Sequence, residues 1–299
     1  MTLVSPLVVA ASPLSHDAEA IGAAVAAGAG AVVLYSLFEE DLMEEQSAPR
    51  PFTGVDPYVQ QIELLRKRVE APIVASLNGT TPGGWTKYAR SLEAAGASAL
   101  ELNLYEVASS PAEGGAELEF RQVDVVAAVV SAVRLPVTVK ISPFYSSVPA
   151  FVRRLEQVGA RGVTVFNRFY QPDISLDTLQ VDRRVVPSTA AELPLRLHAL
   201  ALLSPFAKLS LACSGGVHGG RDAAKAILCG AHVVQLASAL LEHGPRHIGV
   251  IRDALSGWLD SKKFKSSAEV RGKLGFGFTA DPHAWERLNY TRTLHGWPD

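Results

Sequence analysis

The sequence predicts an α/β fold, a single (β/α)8 TIM barrel, and three observations support this prediction. Eight short apolar segments alternate with helical patterns between residues 7 and 259. The apolar segments are continuous, which is typical of parallel strands buried on both faces. No Gly-x-Gly-x-x-Gly motif opens the first strand-helix turn, which disfavours a doubly wound open sheet. Right-handed crossovers of this repeat length close naturally into a barrel.

The first half of the chain predicts four strands and their helices. Apolar residues run together at 7–10, 31–35, 72–77 and 99–104, where the strands are expected. Helices are expected at 18–27 and 85–95, and Gly96 ends the latter as a C-terminal glycine does. Between them, Asp56 and Pro57 read as an N-cap followed by proline at the first helical position. A fourth helix is predicted from an apolar stripe that runs from Val123 to Val133.

The second half predicts four more strands, at 136–141, 162–167, 209–213 and 232–236. Their helices are expected from Val148 to Gly159, at 191–203, from Gly219-Gly220 to Gly230, and at 247–259. A long excursion, 168–187, separates the sixth strand from its helix. Residues 262–299 are expected to pack on the barrel as a C-terminal extension, so that 1–299 forms one domain.

Composition excludes several classes of function. The 299 residues are 48% hydrophobic and 19% charged with a formal net charge of -2, which argues against a nucleic-acid or anionic-membrane surface. The two cysteines, Cys213 and Cys229, predict reduced thiols and not a disulfide framework. No basic signal-peptide region and no apolar run of membrane-spanning length is present, so a cytoplasmic location is expected.

Small residues that follow the last two strands predict a phosphate site. Ser214-Gly215-Gly216 comes after the seventh strand and Ala237-Ser238 after the eighth. Glycine lets the backbone approach an anion, and free amides beside a helix N-terminus favour phosphate. The loops after strands seven and eight of such barrels often bind phosphate. A simple turn at Gly215-Gly216 is the alternative.

Polar residues at the carboxyl ends of the strands are candidates for the active site. The most informative is Lys140, because an ammonium inside an apolar strand is costly without an anionic partner. It could face an electron-rich cofactor or form a Schiff base, or it could reach solvent at the strand end. The other candidates are Ser12, Ser36, Asn78, Asn103, Glu106, Asn167, Ser214 and Ser238.

Among these candidates, two asparagine amides are expected to contact a ligand, and the glutamate is expected to act as a base. Asn78 and Asn103 could bind the edge of a heterocyclic ring, since an amide both donates and accepts, or could serve as caps or turns. Glu106 is interpreted as the only ionisable group near strand four that could act as a base, with a solvated surface carboxylate as the alternative. His218 and His232 lack metal-ligand spacing, and no metal is expected.

Several motifs in this order and spacing resemble the dihydroorotate dehydrogenases, in particular the soluble FMN-dependent class and a bacterial subgroup related to it. They are ELNL at 101–104, VKISP at 139–143, SGGV at 214–217 followed by GRDA, and LCGAHVVQLASAL at 228–240. The resemblance covers roughly residues 5–241. It implies oxidation of a CH–CH bond, as in the conversion of dihydroorotate to orotate in pyrimidine biosynthesis, by one FMN-binding domain.

The resemblance also implies residue roles. Ala11 and Ser12 would lie against the flavin, and Asn103 and Lys140 would contact its isoalloxazine ring. The amides of Ser214-Gly215-Gly216 and Ala237-Ser238 would hold the FMN phosphate, and Asn167 would lie near the ring or the substrate. In such enzymes a lysine beside the N1/C2=O edge stabilises the anionic reduced flavin.

The chain departs from the family pattern where the substrate would bind. Leu34-Tyr35-Ser36 stands where the family has a lysine after strand two. The loop Asn103-Leu-Tyr-Glu-Val-Ala replaces Asn-Leu-Ser-Cys-Pro-Asn, so Glu106 takes the place of the cysteine base and Ala108 that of a substrate contact. Residues 167–173 also differ from the family's small polar stretch. The flavin site is therefore expected to be retained and the orotate site rebuilt.

These observations predict an FMN-dependent oxidoreductase that acts on dihydroorotate or a related small molecule, with Glu106 removing a proton. Two alternatives remain: a lyase or isomerase of a phosphorylated substrate that uses Lys140 as an imine-forming nucleophile, and a non-catalytic FMN-binding subunit. Fumarate, a quinone, a nicotinamide nucleotide or a partner flavoprotein could accept the electrons. By analogy with the soluble class, a homodimer is compatible with the sequence.

Overall fold

Eight parallel strands close into a barrel in the computed structural model, which describes residues 2–40, 55–79, 82–169, 172–182 and 186–296. The barrel strands are β1 Leu7–Val9, β2 Val32–Phe38, β3 Ile73–Asn78, β4 Ala99–Asn103, β5 Val137–Ile141, β6 Gly162–Val165, β9 Ser210–Ser214 and β10 Val233–Leu236. Their order around the barrel is β1-β10-β9-β6-β5-β4-β3-β2. The predicted single (β/α)8 TIM barrel is confirmed, and β9 and β10 are its seventh and eighth strands.

The excursion after β6 contains a short antiparallel hairpin outside the barrel. Its strands are β7 Asp173–Ser175 and β8 Gln180–Asp182. The hairpin residues Ile174, Leu176 and Leu179 are exposed. Apolar periodicity did not predict these strands, because neither face of the hairpin is buried.

Helices connect the strands and cover the outside of the barrel. They are α1 Ala18–Ala26, α2 Val55–Arg68, α3 Pro82–Ala94, α4 Gly115–Ala132, α5 Val148–Gln157, α6 Leu193–Leu203, α7 Gly220–Leu228, α8 Ser238–His243, α9 His247–Ser261, α10 Ser267–Val270 and α11 Pro282–His295. Helix α3 ends two residues before Gly96, whose φ of +93° is the left-handed conformation expected at that position. Helix α2 begins at Val55, so Asp56 is its second residue and not its N-cap, and its carboxylate there interacts favourably with the helix dipole.

The apolar stripes of the helices bury their largest residues against the barrel. Ile62 and Leu65 of α2, and Phe151 and Leu155 of α5, are fully buried. Inside the barrel near the amino ends of the strands, a second cluster consists of small residues: Val8, Ala31, Val33, Val74 and Ala99. These side chains leave a cavity of about 240 Å³ there, called the lower cavity below.

The described part of the C-terminal extension packs against α6 and α7. The Leu274 amide donates to the Leu228 carbonyl over 2.8 Å, and Glu286 Oε1 lies 2.6 Å from His198 Nε2. Val270 is fully buried, whereas α11 has no buried residue. Within the described ranges, no helix has both the length and the apolar character needed to cross a lipid bilayer.

Candidate active site

A cavity of about 470 Å³, called the upper cavity below, opens at the carboxyl ends of the barrel strands. All strands are parallel, so residues distant in sequence meet at this rim. The predicted site residues that line it are Ala11, Ser12, Asn103, Lys140, Asn167, Ser214, Gly215, Gly216, Ala237 and Ser238. Ser36 lines it as well, whereas Asn78 and Glu106 are not among its lining residues.

Lys140 reaches the floor of the upper cavity and has a buried anionic partner. Its side chain on β5 is only 7% exposed, and its Nζ lies 3.8 Å from Oε1 of the fully buried Glu101 on β4. The sequence reasoning named Glu106 as the only ionisable group near strand four that could act as a base and did not consider Glu101. Strand alternation was the available signal, since Glu101 and Asn103 must point to the same side of β4.

Two asparagines flank Lys140 at the same level of the barrel. Asn103 pairs in register with Lys140, and Asn167 follows β6 on the other side. The Asn167 Nδ2 group donates to Asn103 Oδ1 over 2.7 Å. This bond leaves the Asn103 amide nitrogen and the Asn167 carbonyl oxygen available for a ligand.

The turn after β9 has a backbone conformation that requires glycine. Gly215 and Gly216 have φ values of +94° and +77°. A Cβ on Gly216 would lie 2.5 Å from the Leu193 nitrogen at the start of α6. The backbone conformation and the close packing against α6 therefore both require glycine here, and the alternative of a simple turn remains open.

A buried arginine supports the glycine turn from behind, and the sequence reasoning missed it. Arg196 of α6 donates from Nε to the Ser214 carbonyl over 3.1 Å, and its Nη2 lies 3.5 Å from Glu192 Oε2. Burial lowers the pKa of this guanidinium, and the nearby Glu192 carboxylate opposes that shift. The side chain lines the upper cavity beside Gly215 and adds positive charge to it.

Ser188 joins the two loops predicted to bind phosphate. Its amide donates to Ser238 Oγ over 2.9 Å, and its own Oγ accepts from the Gly216 amide over 3.2 Å. The Ser188 and Ser238 hydroxyls are also hydrogen-bonded, 2.9 Å apart. Ser188 was missed because it lies between the excursion after β6 and α6, where no local pattern indicates a site.

The rim near β1 and β2 is aromatic. Tyr35 stacks on His16 with ring centroids 3.9 Å apart, and both residues line the upper cavity. Burial raises the pKa of Tyr35 to about 12. The hydroxyl groups of Tyr35 and Ser12 are buried and have no hydrogen-bond partner among the described residues. They are therefore available to a ligand.

Glu106 and Asn78 are engaged outside the cavity lining. The Glu106 carboxylate is ion-paired with Arg121 of α4, which also pairs with Glu113. Asn78 is buried at the end of β3, in register with Asn103. Their predicted roles remain predictions.

Comparisons with known proteins agree with the geometry. The family model described as dihydroorotate dehydrogenase matches residues 50–259. The chain is 32% identical over 221 residues, 70% of its length, to a protein of Aeropyrum pernix with the provisional name dihydroorotate dehydrogenase A (fumarate), of which 71% is covered.

A second similar protein, from Methanocella arvoryzae, is named as the catalytic subunit of dihydroorotate dehydrogenase B (NAD(+)). The two chains are 27% identical over 291 residues, which cover 89% of this chain and 92% of the relative. The family match spans the strands that carry Asn103, Lys140 and the Gly215 turn. The chain therefore belongs to the dihydroorotate dehydrogenase family.

Proposed function

We propose that this protein is an FMN-dependent oxidoreductase whose upper cavity holds the flavin. The observation that carries the proposal is that a buried ammonium, Lys140, and a glycine turn backed by a guanidinium line the same cavity. Membership of the family supports an oxidoreductase related to dihydroorotate dehydrogenase. The ammonium and the glycine turn support FMN as its cofactor.

The residues around the glycine turn fit a phosphate group. The turn cannot carry a side chain at Gly216, because a Cβ there would clash with Leu193 at the start of α6. The Ser188 and Ser238 hydroxyls share one hydrogen bond, so one hydroxyl proton remains for a ligand, and Arg196 supplies positive charge. The carboxylate nearest to this turn, Glu192, is itself paired with Arg196 and Arg168.

The part of the upper cavity around Lys140 fits a polar ring. Asn103 and Asn167 offer one donor and one acceptor beside Lys140, and Ser12 adds a buried hydroxyl that has no partner among the described residues. Ala11 also lines the upper cavity, and a residue of that size leaves space for a planar group. Asn78, one strand away, would support Asn103 through the β3–β4 pairing.

When bound, FMN supplies a hydride acceptor at N5. Lys140 would hold a positive charge beside the ring, and the two asparagines would orient it. Glu106 is proposed as the proton acceptor because of its position after β4. Its ion pair with Arg121 holds the carboxylate at the outer side of this loop, so the side chain must turn inward to reach a substrate.

The substrate is proposed to be a ring compound that differs from dihydroorotate. The loops after β4, β5 and β6 place three aromatic rings together, with Phe169 5.2 Å from Tyr105 and 4.7 Å from Phe144. Aromatic rings favour contact with apolar or planar groups. Tyr105 and Phe169 belong to the segments after β4 and β6 in which the chain departs from the family pattern.

The imine-forming alternative is less compatible with the site. A Schiff-base lysine needs a free amine, whereas the Glu101 carboxylate beside Nζ stabilises an ammonium. Borohydride treatment in the presence of a carbonyl ligand should leave the mass of the intact protein unchanged. A trapped adduct on Lys140 would favour a lyase or isomerase instead.

The decisive experiment is anaerobic reduction of the bound cofactor, followed at flavin wavelengths. The purified protein should be yellow, or become yellow with added FMN, and should be bleached by one member of a panel of dihydropyrimidines and related ring acids that begins with dihydroorotate. Reoxidation by fumarate, NAD(+) or a quinone would then identify the acceptor. A protein that takes up no FMN would refute the proposal, and bound FMN that no compound reduces would favour a non-catalytic flavin-binding subunit.

A further inference from the structure

A layer of four buried polar side chains crosses the inside of the barrel beneath the upper cavity. Glu101 of β4 and Thr164 of β6 are fully buried, and Lys140 of β5 and Gln235 of β10 are nearly so. No charged side chain other than Glu101 is recorded within 4.0 Å of the Lys140 ammonium in the described part of the chain. The layer is therefore organised around one pair of opposite charges.

The hydrogen bonds of this layer fix the orientation of Glu101. Its Oε2 accepts from Thr164 Oγ1 over 3.0 Å and from Gln235 Nε2 over 2.6 Å. A carboxylate accepts only, so Gln235 must direct its amide NH2 group toward Glu101. With Oε2 held on both sides, Oε1 is left to face the Lys140 ammonium at 3.8 Å.

The two charges face different cavities. Lys140 lines the upper cavity, and Glu101 lines the lower cavity, which begins at the amino ends of the strands. Gln235 lines both. The carboxylate therefore lies behind the ammonium and cannot contact a ligand in the upper cavity except through Lys140.

The burial of the carboxylate makes the ammonium important to it. Glu101 Oε1 and Gln235 Oε1 are buried acceptors with no hydrogen-bond partner among the described residues. A buried carboxylate oxygen is costly without compensation, and the positive charge that faces Oε1 is that of Lys140.

We infer that Glu101 is a positioning residue that holds the Lys140 ammonium at the floor of the upper cavity and offsets part of its charge. This inference rests on the proposed function. A lone buried ammonium would stabilise the anionic reduced flavin relative to the oxidised form and so raise the reduction potential of the bound cofactor. The carboxylate behind it offsets part of this effect and brings the affinities for the two redox states closer together.

The test compares the affinities of the protein for reduced and oxidised FMN, measured anaerobically. Glu101→Gln should raise the preference for the reduced form about tenfold, which for a two-electron couple is a shift of about 30 mV. Lys140→Met should lower the preference for the reduced form. Glu101→Asp keeps the negative charge but moves it away from Lys140, so its preference should fall between those of wild type and Glu101→Gln. Thr138→Val, at another residue that lines the lower cavity, is the matched control and should change nothing.

A second measurement needs no flavin. Thermal unfolding of the cofactor-free protein should show that Lys140→Met and Glu101→Gln each destabilise the fold, because each leaves a buried charge without an opposite charge beside it. The double variant should recover much of this loss, since it removes both charges. Additive losses, or a Glu101→Gln protein that binds both forms of FMN with the wild-type ratio, would overturn the inference. Wild-type protein that binds no FMN would instead refute the proposed function, and the unfolding cycle would still decide whether the two side chains are coupled.

Discussion

Replacing Arg196 by methionine should selectively weaken binding of the phosphate end of the cofactor. The guanidinium lies directly behind the glycine turn, with Nη2 3.0 Å from the position of a Cβ on Gly215. Methionine keeps an unbranched apolar stem in the buried space but removes the charge. FMN and riboflavin differ only in the phosphate, so their affinities separate a loss of charge from a general loss of structure.

The size of the effect follows from the charges around Arg196. Two unit charges about 5 Å apart attract by roughly 3 kcal/mol at an effective dielectric constant of about 20. Glu192 Oε2 lies 3.5 Å from Nη2 and offsets about half of this attraction. The remainder, roughly 1.5 kcal/mol, corresponds to about a tenfold weaker affinity for FMN.

The assay is titration of cofactor-free protein with FMN and with riboflavin, followed by quenching of flavin fluorescence. Arg196→Met should raise the Kd for FMN about tenfold and leave that for riboflavin unchanged, and Arg196→Lys should lie between the two proteins. Arg154→Met, at an ion-paired arginine of α5 that does not line the upper cavity, is the matched control. Equal loss of both affinities in Arg196→Met would show that the arginine only supports the fold, and an unchanged FMN affinity would refute the reasoning.

Three further predictions concern the turn, the base and the buried thiol. Gly216→Ala should lower the Tm and weaken FMN binding, because its φ is +77° and a Cβ would approach Leu193 N to 2.5 Å; calorimetry and the same titration measure both effects. Glu106→Gln should slow flavin reduction by the substrate at least 100-fold in stopped-flow experiments while Glu113→Gln does not, and equal rates would remove Glu106 as the base. Burial raises the pKa of Cys213 from about 9 to about 12, so the folded protein keeps a proton that the unfolded chain loses above pH 9. The free energy of unfolding, measured with urea, should therefore fall between pH 9 and 12. Cys213→Ala should make its pH dependence flatter over this range. Parallel curves for the two proteins would contradict the assignment.

The sequence could predict features that depend on local pattern and on the rules of the fold. Continuous apolar segments indicated which residues form strands, because parallel strands in a barrel are buried on both faces. Once the strands were placed, the rule that sites lie at their carboxyl ends led to Asn103, Lys140, Asn167 and the Gly215 turn, all of which line the upper cavity. The polar residues in otherwise apolar strands were the clearest signal.

Features that depend on contacts between distant segments could not be predicted in this way. Arg196 and Ser188 reach the glycine turn from a helix and a loop that no local pattern connects to it. The pairing of Glu106 with Arg121 depends on how α4 packs beside the loop after β4. Each contact follows from the packing of elements and not from the type of either residue.

The amino-acid sequence by itself determined the barrel, the end of it that carries the site, and the presence of a lysine in the fifth strand. Tertiary structure alone decided that the Lys140 ammonium meets Glu101, that the carboxylate lies on the far side from the upper cavity, and that Glu106 turns toward α4. The reason is physical: burial and backbone preference are encoded residue by residue, whereas the meeting of two side chains depends on strand register and barrel closure.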